Sequence, residues 1–183
     1  MHMKGVYVHR RTKSYRMPRK GGVLMQLLVD WSGEVYSGRR VQIKSTESGN
    51  VPWYLVNVMK SKSKPKGTSW FNPVVTTATM RFVNKTVKDP SNTIVLAPYR
   101  AHCDRLKKAL SRHISKGLRV YSIDGFQGGE ADTVIVVFTR EKSNNLGWMC
   151  DFPKNFGRVF VALTRARKCM HLIGPLDAYR SSH

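Results

Sequence analysis

Apolar residues in this chain form short unbroken runs separated by stretches with helical spacing. The runs predict five strands: residues 53–58, 93–97, 119–122, 134–138 and a last run that ends at Gly174. The run at 134–138 is mostly β-branched, which is typical of a strand covered on both faces. Strands that alternate with helices indicate a parallel α/β domain.

Two helical patterns lie between these strands, and a third precedes the last strand. Asn72 and Pro73 suit the capping and first positions of a helix that runs to Lys88, and the second pattern spans residues 99–114. A third helix is predicted with Asn155 as its cap. The positions expected to face inward are Val75, Thr79, Phe82 and Val83 in the first helix and Cys103, Leu106, Leu110 and Ile114 in the second. In the third helix they are Phe156, Val159, Phe160, Leu163 and Ala166. Residues 60–68 are rich in Lys, Ser, Pro and Gly and predict an exposed loop.

Residues 124–130, Asp-Gly-Phe-Gln-Gly-Gly-Glu, predict a turn suited to a ligand. Its glycines let backbone N–H groups approach a bound molecule, and Gln127 and Glu130 offer hydrogen bonds to a sugar or a base. Arg158 and Arg165 are seven residues apart, so on one helix their guanidinium groups would lie nearly in line and suit a phosphate. A solvated basic helix edge is the alternative interpretation of that pair.

The edge of the predicted sheet is where we expect ligands. Right-handed crossovers place the loops that follow each strand along one edge, and open α/β sheets bind ligands there. Tyr99, Gln127, Glu130 and Arg165 are all expected near such edges. Tyr99 is a candidate for stacking on a base, although a tyrosine that starts a helix is at least as often a packing residue.

Charge narrows the range of partners. Among 183 residues, 32 Lys and Arg stand against 11 Asp and Glu, which gives a formal charge of +21 and a pI near 10.4. This excess predicts attraction to polyanions, with nucleic acid first and an anionic membrane surface second. No apolar run approaches the ~20 residues that cross a bilayer, and no secretory pattern opens the chain. We therefore expect an intracellular protein of the cytoplasm or nucleus, without membrane association.

The cysteines do not predict a disulfide framework or a metal site. Cys103, Cys150 and Cys169 are far apart and lack a Cys-x-x-Cys spacing, so reduced thiols in or near the core are expected. His102 and Cys103 are neighbours, but adjacent helical residues point about 100° apart. We therefore interpret His102 and Cys103 as packing residues and not as a nucleophile pair.

The first forty residues contain one basic segment and one false motif. Residues 1–20 are strongly basic and could hold phosphates without reading sequence. Residues 33–38 have the glycine spacing of a P-loop, but Arg39 and Arg40 stand where Lys and Ser or Thr are required. The sequence contains no other P-loop and no strand ending in an Asp-Glu pair.

Four segments together resemble one protein family. Residues 124–130 before a buried strand, and Val-Ala-Leu-Thr-Arg-Ala at 161–166, resemble motifs V and VI of superfamily-one helicases, most closely the nonsense-mediated-decay type of RNA/DNA helicase. Ser-Tyr-Arg-Met-Pro at 14–18 resembles the motif that opens the second RecA-like domain of that family, and Ile-Val-Leu-Ala-Pro-Tyr at 94–99 resembles its motif IV. The order of the four segments is that of the family.

The resemblance implies a fold and a set of site residues. The fold would be α/β, a RecA-like P-loop NTPase fold with a mainly parallel sheet flanked by helices, preceded by a basic segment at 1–20 and formed by a single C-terminal helicase domain at 21–183. Arg16 and Arg165 would be the catalytic pair that stabilises charge on the transferring phosphoryl group. The residues expected to bind the cofactor are Tyr99, Gln127, Gly128, Glu130 and Arg158. ATP would be shared with a first RecA-like domain, in cis or in trans, which would also hold Mg²⁺.

Three hypotheses for the function remain at this point. The first is the C-terminal motor domain of an ATP-dependent helicase, inactive alone because it has no P-loop, which binds DNA or RNA, preferably single-stranded. The second is a stand-alone basic module derived from a helicase, which binds nucleic acid or a protein without hydrolysing ATP. A ribosomal-type basic structural protein would explain the charge but not motifs V and VI. Two departures from the family are Phe160, where motif VI usually has Asn, and Pro73-Val74, where a glutamate is usual.

Overall fold

The computed structural model describes residues 53–126, 128–141 and 162–175. The strands there are β1 (Trp53–Asn57), β2 (Lys64–Lys66), β3 (Ser69–Phe71), β4 (Thr93–Ala97), β5 (Arg119–Ser122), β6 (Ala131–Val137) and β7 (Ala166–Gly174), and the helices are α1 (Pro73–Thr86), α2 (Arg100–Ala109) and α3 (Ser111–Ile114).

Five strands form one parallel sheet in the order β1-β7-β6-β4-β5. All five predicted strands are present, and the fold is the predicted RecA-like α/β fold. Because the strands are parallel, the sheet has an edge where every strand begins and an edge where every strand ends. We call these the amino edge and the carboxyl edge.

Helices α1 and α2 cover one face of the sheet, because both crossovers, β1 to β4 and β4 to β5, run in the same direction across it. Val75 and Val83 of α1 and Leu106 of α2 pack there against Val95 and Ile135 of the sheet, and all five side chains are fully buried. Burial of such side chains contributes about 1.5–3 kcal/mol each. This core fixes the positions from which the loops at both edges project.

Helix α1 begins as the sequence predicts. The Asn72 side-chain oxygen accepts hydrogen bonds from the backbone N–H groups of Val74 and Val75, at 3.1 Å each, and Pro73 is the first helical residue. The second predicted helix is interrupted at Leu110, whose backbone (φ −104°, ψ 14°) separates α2 from α3. Leu110 is nevertheless buried, as its place in the apolar pattern requires.

The predicted exposed loop at residues 60–68 is wrong in part, because it contains β2. Strands β2 and β3 form an antiparallel hairpin in which Lys66 pairs with Ser69. Gly67 (φ +58°) occupies the first position of the two-residue turn between them, a conformation that glycine adopts at little cost. The hairpin follows β1 and precedes α1, so it lies at the carboxyl edge.

The connection from β5 to β6 crosses the other face of the sheet. The step from β5 to β6 runs across the sheet in the direction opposite to that of the earlier crossovers. Because crossovers are right-handed, this connection must lie on the face opposite to α1 and α2. The Phe126 ring is buried there and stacks on Tyr121 at 5.2 Å between centroids. The segment begins at the carboxyl edge after Ser122 and reaches the amino edge at Ala131.

The end of the third predicted helix differs from the prediction. Residues 162 and 163 are helical, whereas Arg165 lies outside the helix, directly before Ala166, the first residue of β7. The Arg165 carbonyl accepts a hydrogen bond from the Ala131 N–H at 3.1 Å, so pairing with β6 ends the helix early. The expectation that Arg158 and Arg165 project from one helix is therefore wrong for Arg165.

Other predictions fall outside the described residues: the segment 1–20 and its boundary at residue 20, Cys150, and most of the third helix. Cys103 is buried and Cys169 is half-buried, and both are free thiols, as expected. Burial raises the pKa of each to about 11. Among the helices that the structure describes, none is long and apolar enough to cross a bilayer.

Candidate functional site

Glu130 and Arg165 lie side by side at the amino edge of the sheet. Each directly precedes a strand, and Ala131 pairs with Ala166 in the β6–β7 ladder. The Arg165 side chain is half-buried, and its guanidinium donates to the Gly129 carbonyl at a distance of 3.5 Å. Glu130 is also half-buried, with its Oε1 shielded from solvent. Two residues that are 35 positions apart in the sequence are thus held together by strand pairing.

The two positions before Glu130 require glycine for different physical reasons. Gly128 has φ +81°, and a Cβ built there would find no atom within 4 Å. Gly129 packs against the Phe126 ring, where an added Cβ would lie 2.5 Å from a ring carbon. The backbone at Gly128 is therefore open to a ligand, while Gly129 anchors the same loop to the face of the sheet.

Asp132 forms an ion-pair cluster beside this site. Its Oδ1 lies 3.0 Å from the Arg167 guanidinium, and its Oδ2 lies 2.7 Å from the Lys168 ammonium. The hydrogen bond from Lys168, and then the charges of both cations, hold the pKa of Asp132 below its usual 3.8. Sequence reasoning missed this cluster, because nothing in the sequence specifies that positions 132 and 168 face each other across the β6–β7 ladder.

A cavity of about 390 Å³ opens at the same edge, between the sheet and the end of α1. Tyr54, Phe82 and His171 form its aromatic wall: the His171 ring stacks on Tyr54 at 5.0 Å and meets Phe82 edge-on at 4.8 Å. The His171 Nε2 lies 3.2 Å from the Cys169 Sγ. The lining includes neither Glu130 nor Arg165, so the cavity is separate from the pair.

Tyr99 lies at the opposite edge. It follows β4 and occupies the position before α2, where its carbonyl accepts from the N–H groups of His102 and Cys103. By strand register, Ala131 lies two residues before the start of β4, whereas Tyr99 lies two residues after its end. The expectation that Tyr99, Glu130 and Arg165 share one edge is therefore wrong, because Glu130 and Arg165 precede their strands and do not follow them.

A buried polar network occupies the carboxyl edge. His102 is fully buried; its Nε2 lies 3.1 Å from the Thr76 hydroxyl and its Nδ1 lies 2.7 Å from the Thr139 hydroxyl. The Thr76 hydroxyl donates to the Asn72 carbonyl, so its oxygen is left to accept from Nε2–H of the neutral ring. Burial, and then the charge of Arg105, lower the pKa of His102 from 6.5 to about 4. The expectation that His102 and Cys103 serve packing fits this environment.

Asn72 extends this network. Its amide donates to the Thr139 carbonyl at 3.1 Å and to the Ser61 hydroxyl at 3.2 Å, while its oxygen caps α1. One fully buried side chain thus joins the start of α1, the end of β6 and the entry to the hairpin. Of the remaining predicted site residues, Arg16, Gln127 and Arg158 lie outside the described residues.

Comparison with known proteins identifies the family. Residues 11–177 match the AAA domain family. A protein of Methanocaldococcus jannaschii, named an uncharacterized ATP-dependent helicase, is 33% identical over 125 residues, which are 68% of this chain and 18% of that protein. The rat DNA-binding protein SMUBP-2 is 32% identical over 139 residues, which are 72% of this chain and 14% of that protein.

A third relative extends the same pattern. The Saccharomyces cerevisiae helicase SEN1 is 31% identical over 86 residues, 44% of this chain and 4% of SEN1. The chain thus spans less than a fifth of the length of each of these relatives. Together with the parallel sheet and the positions of Glu130 and Arg165 at its amino edge, the comparisons establish that the chain belongs to the AAA domain family and is a superfamily-one helicase domain.

Proposed function

We propose that this chain is the second, C-terminal motor domain of an ATP-dependent helicase of the nonsense-mediated-decay type. The observation that carries the proposal is that Arg165 contacts the Gly129 carbonyl at the amino edge, next to Glu130 and the open backbone of Gly128. Arg165 is the arginine of the motif VI sequence, and Glu130 closes the motif V sequence. Their proximity supports one nucleotide-facing site built from both motifs.

The chemistry of this group fits a nucleoside triphosphate. A guanidinium stabilises the negative charge that develops on a transferring phosphoryl group, and a carboxylate accepts hydrogen bonds from ribose hydroxyls. Open backbone at a glycine with positive φ lets N–H groups approach an anion. In this proposal Arg165 and Arg16 hold the terminal phosphate, and Gln127, Gly128, Glu130 and Arg158 contact the nucleotide. Tyr99 is not placed with them, because it lies at the other edge.

The rest of the nucleotide site would come from a first RecA-like domain, in cis or in trans. The sequence has no P-loop motif and no Asp-Glu dipeptide, so that domain would cradle the phosphates and hold Mg²⁺. The names of the relatives, two helicases and a DNA-binding protein, and the +21 charge support binding of DNA or RNA by this domain. We place such a protein in the cytoplasm or nucleus.

The test uses Arg165→Ala in an assembly of this chain with a first RecA-like domain. We expect ATP turnover to fall by roughly 10³-fold or more, the effect typical of removing an arginine finger. Arg167→Ala is the matched control, because Arg167 is exposed and pairs with Asp132. Arg167→Ala should leave turnover nearly unchanged, and both variants should keep the wild-type circular dichroism spectrum. Undiminished turnover in Arg165→Ala would contradict the proposal.

The second candidate is a stand-alone module that binds nucleic acid or a protein without ATPase activity. The absence of a P-loop sequence favours it. It predicts that adding a first RecA-like domain produces no ATP turnover, whereas the motor hypothesis predicts turnover that nucleic acid stimulates. Turnover by this chain alone would contradict both hypotheses.

A further inference from the structure

We propose that the β2–β3 hairpin is a phosphate-binding finger that holds a single-stranded nucleic acid at the carboxyl edge. The inference rests on the proposed nucleic-acid binding and names the element that performs it. It draws on the charge of the hairpin, on the contacts that hold it and on the exposed apolar side chains beside it.

The hairpin concentrates positive charge without acidic neighbours in the sequence. Four exposed lysines precede or form β2: Lys60, Lys62, Lys64 and Lys66. No Asp or Glu occurs between Glu47 and Asp89. Lys64 and Lys66 are two residues apart in one strand, so their side chains leave the same face about 6.7 Å apart. This row of ammonium groups suits the regularly spaced charges of a phosphodiester backbone.

The inner strand fixes the hairpin to the domain. The Ser69 hydroxyl accepts from the Ala101 N–H at 3.1 Å, and the Arg105 guanidinium stacks 3.9 Å from the centre of the Phe71 ring. On the other face of the hairpin, Arg140 stacks 4.2 Å from the centre of the Trp70 ring. Cation–π contacts contribute about 0.5–2 kcal/mol each. The hairpin is thus held between α2 and the segment that follows β6.

The entry to the hairpin is held as well. The Ser63 N–H donates to the Glu141 carboxylate at 2.8 Å, and the Ser61 hydroxyl accepts from the buried Asn72 amide. Lys60 has φ +53°, a left-handed conformation that costs a non-glycine residue roughly 1 kcal/mol and that the surrounding contacts must maintain. An anchored hairpin loses little backbone entropy when a ligand binds, which favours affinity.

The neighbouring apolar side chains favour a single strand over a duplex. Met59 is 52% exposed and Val74 is 47% exposed, and these are the exposed large hydrophobic residues of the described ranges. Both lie at the carboxyl edge, on either side of the hairpin in the sequence. Apolar surface can contact the faces of unpaired bases, which a duplex keeps stacked inside.

The test measures binding of fluorescently labelled oligothymidine and oligouridine to the full chain by anisotropy, over a series of salt concentrations. The variant Lys64→Ala/Lys66→Ala is compared with Lys85→Ala/Lys88→Ala. The control pair removes the same charge from the amino edge, where Lys85 lies in the last turn of α1 and Lys88 lies two residues after its end. For the hairpin pair we expect weaker binding and a salt slope reduced by about 1.4, since each phosphate contact on a single strand contributes about 0.7. The control pair should retain the wild-type slope.

Each other outcome overturns a defined part of the inference. Equal losses in the two pairs would indicate a diffuse effect of net charge, and no loss in the hairpin pair would exclude the finger, while the proposed function would stand in both cases. If the hairpin pair weakens binding of a labelled duplex but not of the single-stranded oligonucleotides, the assignment of a single strand as the ligand would be excluded. Lys and Pro also discourage an exposed edge strand from pairing with another chain. If Lys64→Ala/Lys66→Ala forms oligomers in gel filtration but binds the oligonucleotides as well as wild type, the lysines of β2 prevent association and do not bind phosphate. Failure of the wild-type chain to bind either oligonucleotide would overturn both the finger and the nucleic-acid part of the proposed function.

Discussion

The two edges of the sheet differ in charge and in construction. The amino edge has mixed charge: Asp132 pairs with Arg167 and Lys168 next to Glu130 and Arg165. The carboxyl edge presents a row of exposed lysines on a hairpin, with the Glu141 carboxylate bonded to the Ser63 N–H at its entry, and a buried polar network centred on His102 and Asn72 lies beneath it. Mixed charge suits a site that positions one small anion, whereas a row of one sign suits a long polyanion.

The structure places the motif residues and the row of lysines on different surfaces, which the sequence alone does not show. Motifs V and VI bring Glu130 and Arg165 to the amino edge, whereas Lys60, Lys62, Lys64 and Lys66 form a row of exposed lysines at the carboxyl edge. The proposed nucleotide site and the proposed nucleic-acid site therefore occupy different surfaces. Three substitutions test the comparison beyond the two experiments above, in order of expected effect.

The largest effect on stability is expected when the pH is lowered, because His102 at the carboxyl edge then becomes protonated. His102 is neutral in the folded state because its pKa is lowered to about 4, against 6.5 when unfolded. The folded state then binds fewer protons than the unfolded state, so the full stability is present above pH 6.5 and is lost as the pH falls towards 4. The loss should reach about 3 kcal/mol, measured as the free energy of unfolding in urea.

His102→Gln is the matched variant for this pH dependence, because its amide can still hydrogen-bond Thr76 and Thr139 but does not titrate. We expect a flatter stability profile between pH 6.5 and 4 in the variant. Parallel profiles for wild type and variant would contradict the role assigned to His102.

An intermediate effect is expected at the amino edge from Gly129→Ala. The added methyl would lie 2.5 Å from the buried Phe126 ring, and such overpacking costs roughly 1–3 kcal/mol. Gly128→Ala is the control: its methyl meets nothing within 4 Å, so only the backbone strain at positive φ remains, about 1 kcal/mol. Urea denaturation measures both. A double-mutant cycle with Phe126→Leu should show coupling for Gly129 and little for Gly128.

The smallest effect is expected from Asp132→Asn, also at the amino edge. The partner cations are exposed, so the ion pairs are screened and their contribution is small. The melting temperature should fall slightly at low salt and should not change at high salt. Asp104→Asn, on the exposed side of α2, serves as the control. A large, salt-independent loss would show that the cluster has a structural role that its exposure does not suggest.

Much of the fold could be predicted because its periodicities are local. The run at 93–97 is Thr-Ile-Val-Leu-Ala, it contains no charged residue and it is buried at every position. Asn72-Pro73 is a helix start signal that can be read from the sequence alone. The hairpin could not be predicted in this way. Its strands are only three residues long, and they are held by contacts to α2 and to Arg140 that depend on the tertiary structure.

The roles of the candidate site residues stay predictions, but the structure shows where some of these residues lie. Motif resemblance selected Glu130 and Arg165, which the structure places together. Residue spacing placed Arg165 on a helix, because helical spacing continues through Ala166 and the sequence does not show where pairing with β6 begins. The crossover argument placed Tyr99 at the same edge as Arg165, because it took both residues to follow their strands. Which edge a loop residue occupies depends on whether it precedes or follows its strand, and this requires strand bounds accurate to one or two residues.

The segment between Ser122 and Ala131 has a mechanical consequence. By register, its ends lie about six residues apart along the strand direction, or roughly 20 Å. Its nine peptide steps reach at most about 30 Å when fully extended, and the 3₁₀ turn at Asp124–Phe126 uses part of that reach. The limited reach, together with the packing of Phe126 against Tyr121, restricts how far the two ends can move independently. We therefore expect a displacement of Ser122 at the carboxyl edge to be transmitted to Glu130 at the amino edge, and in the proposed function this coupling would link the nucleic acid to the nucleotide.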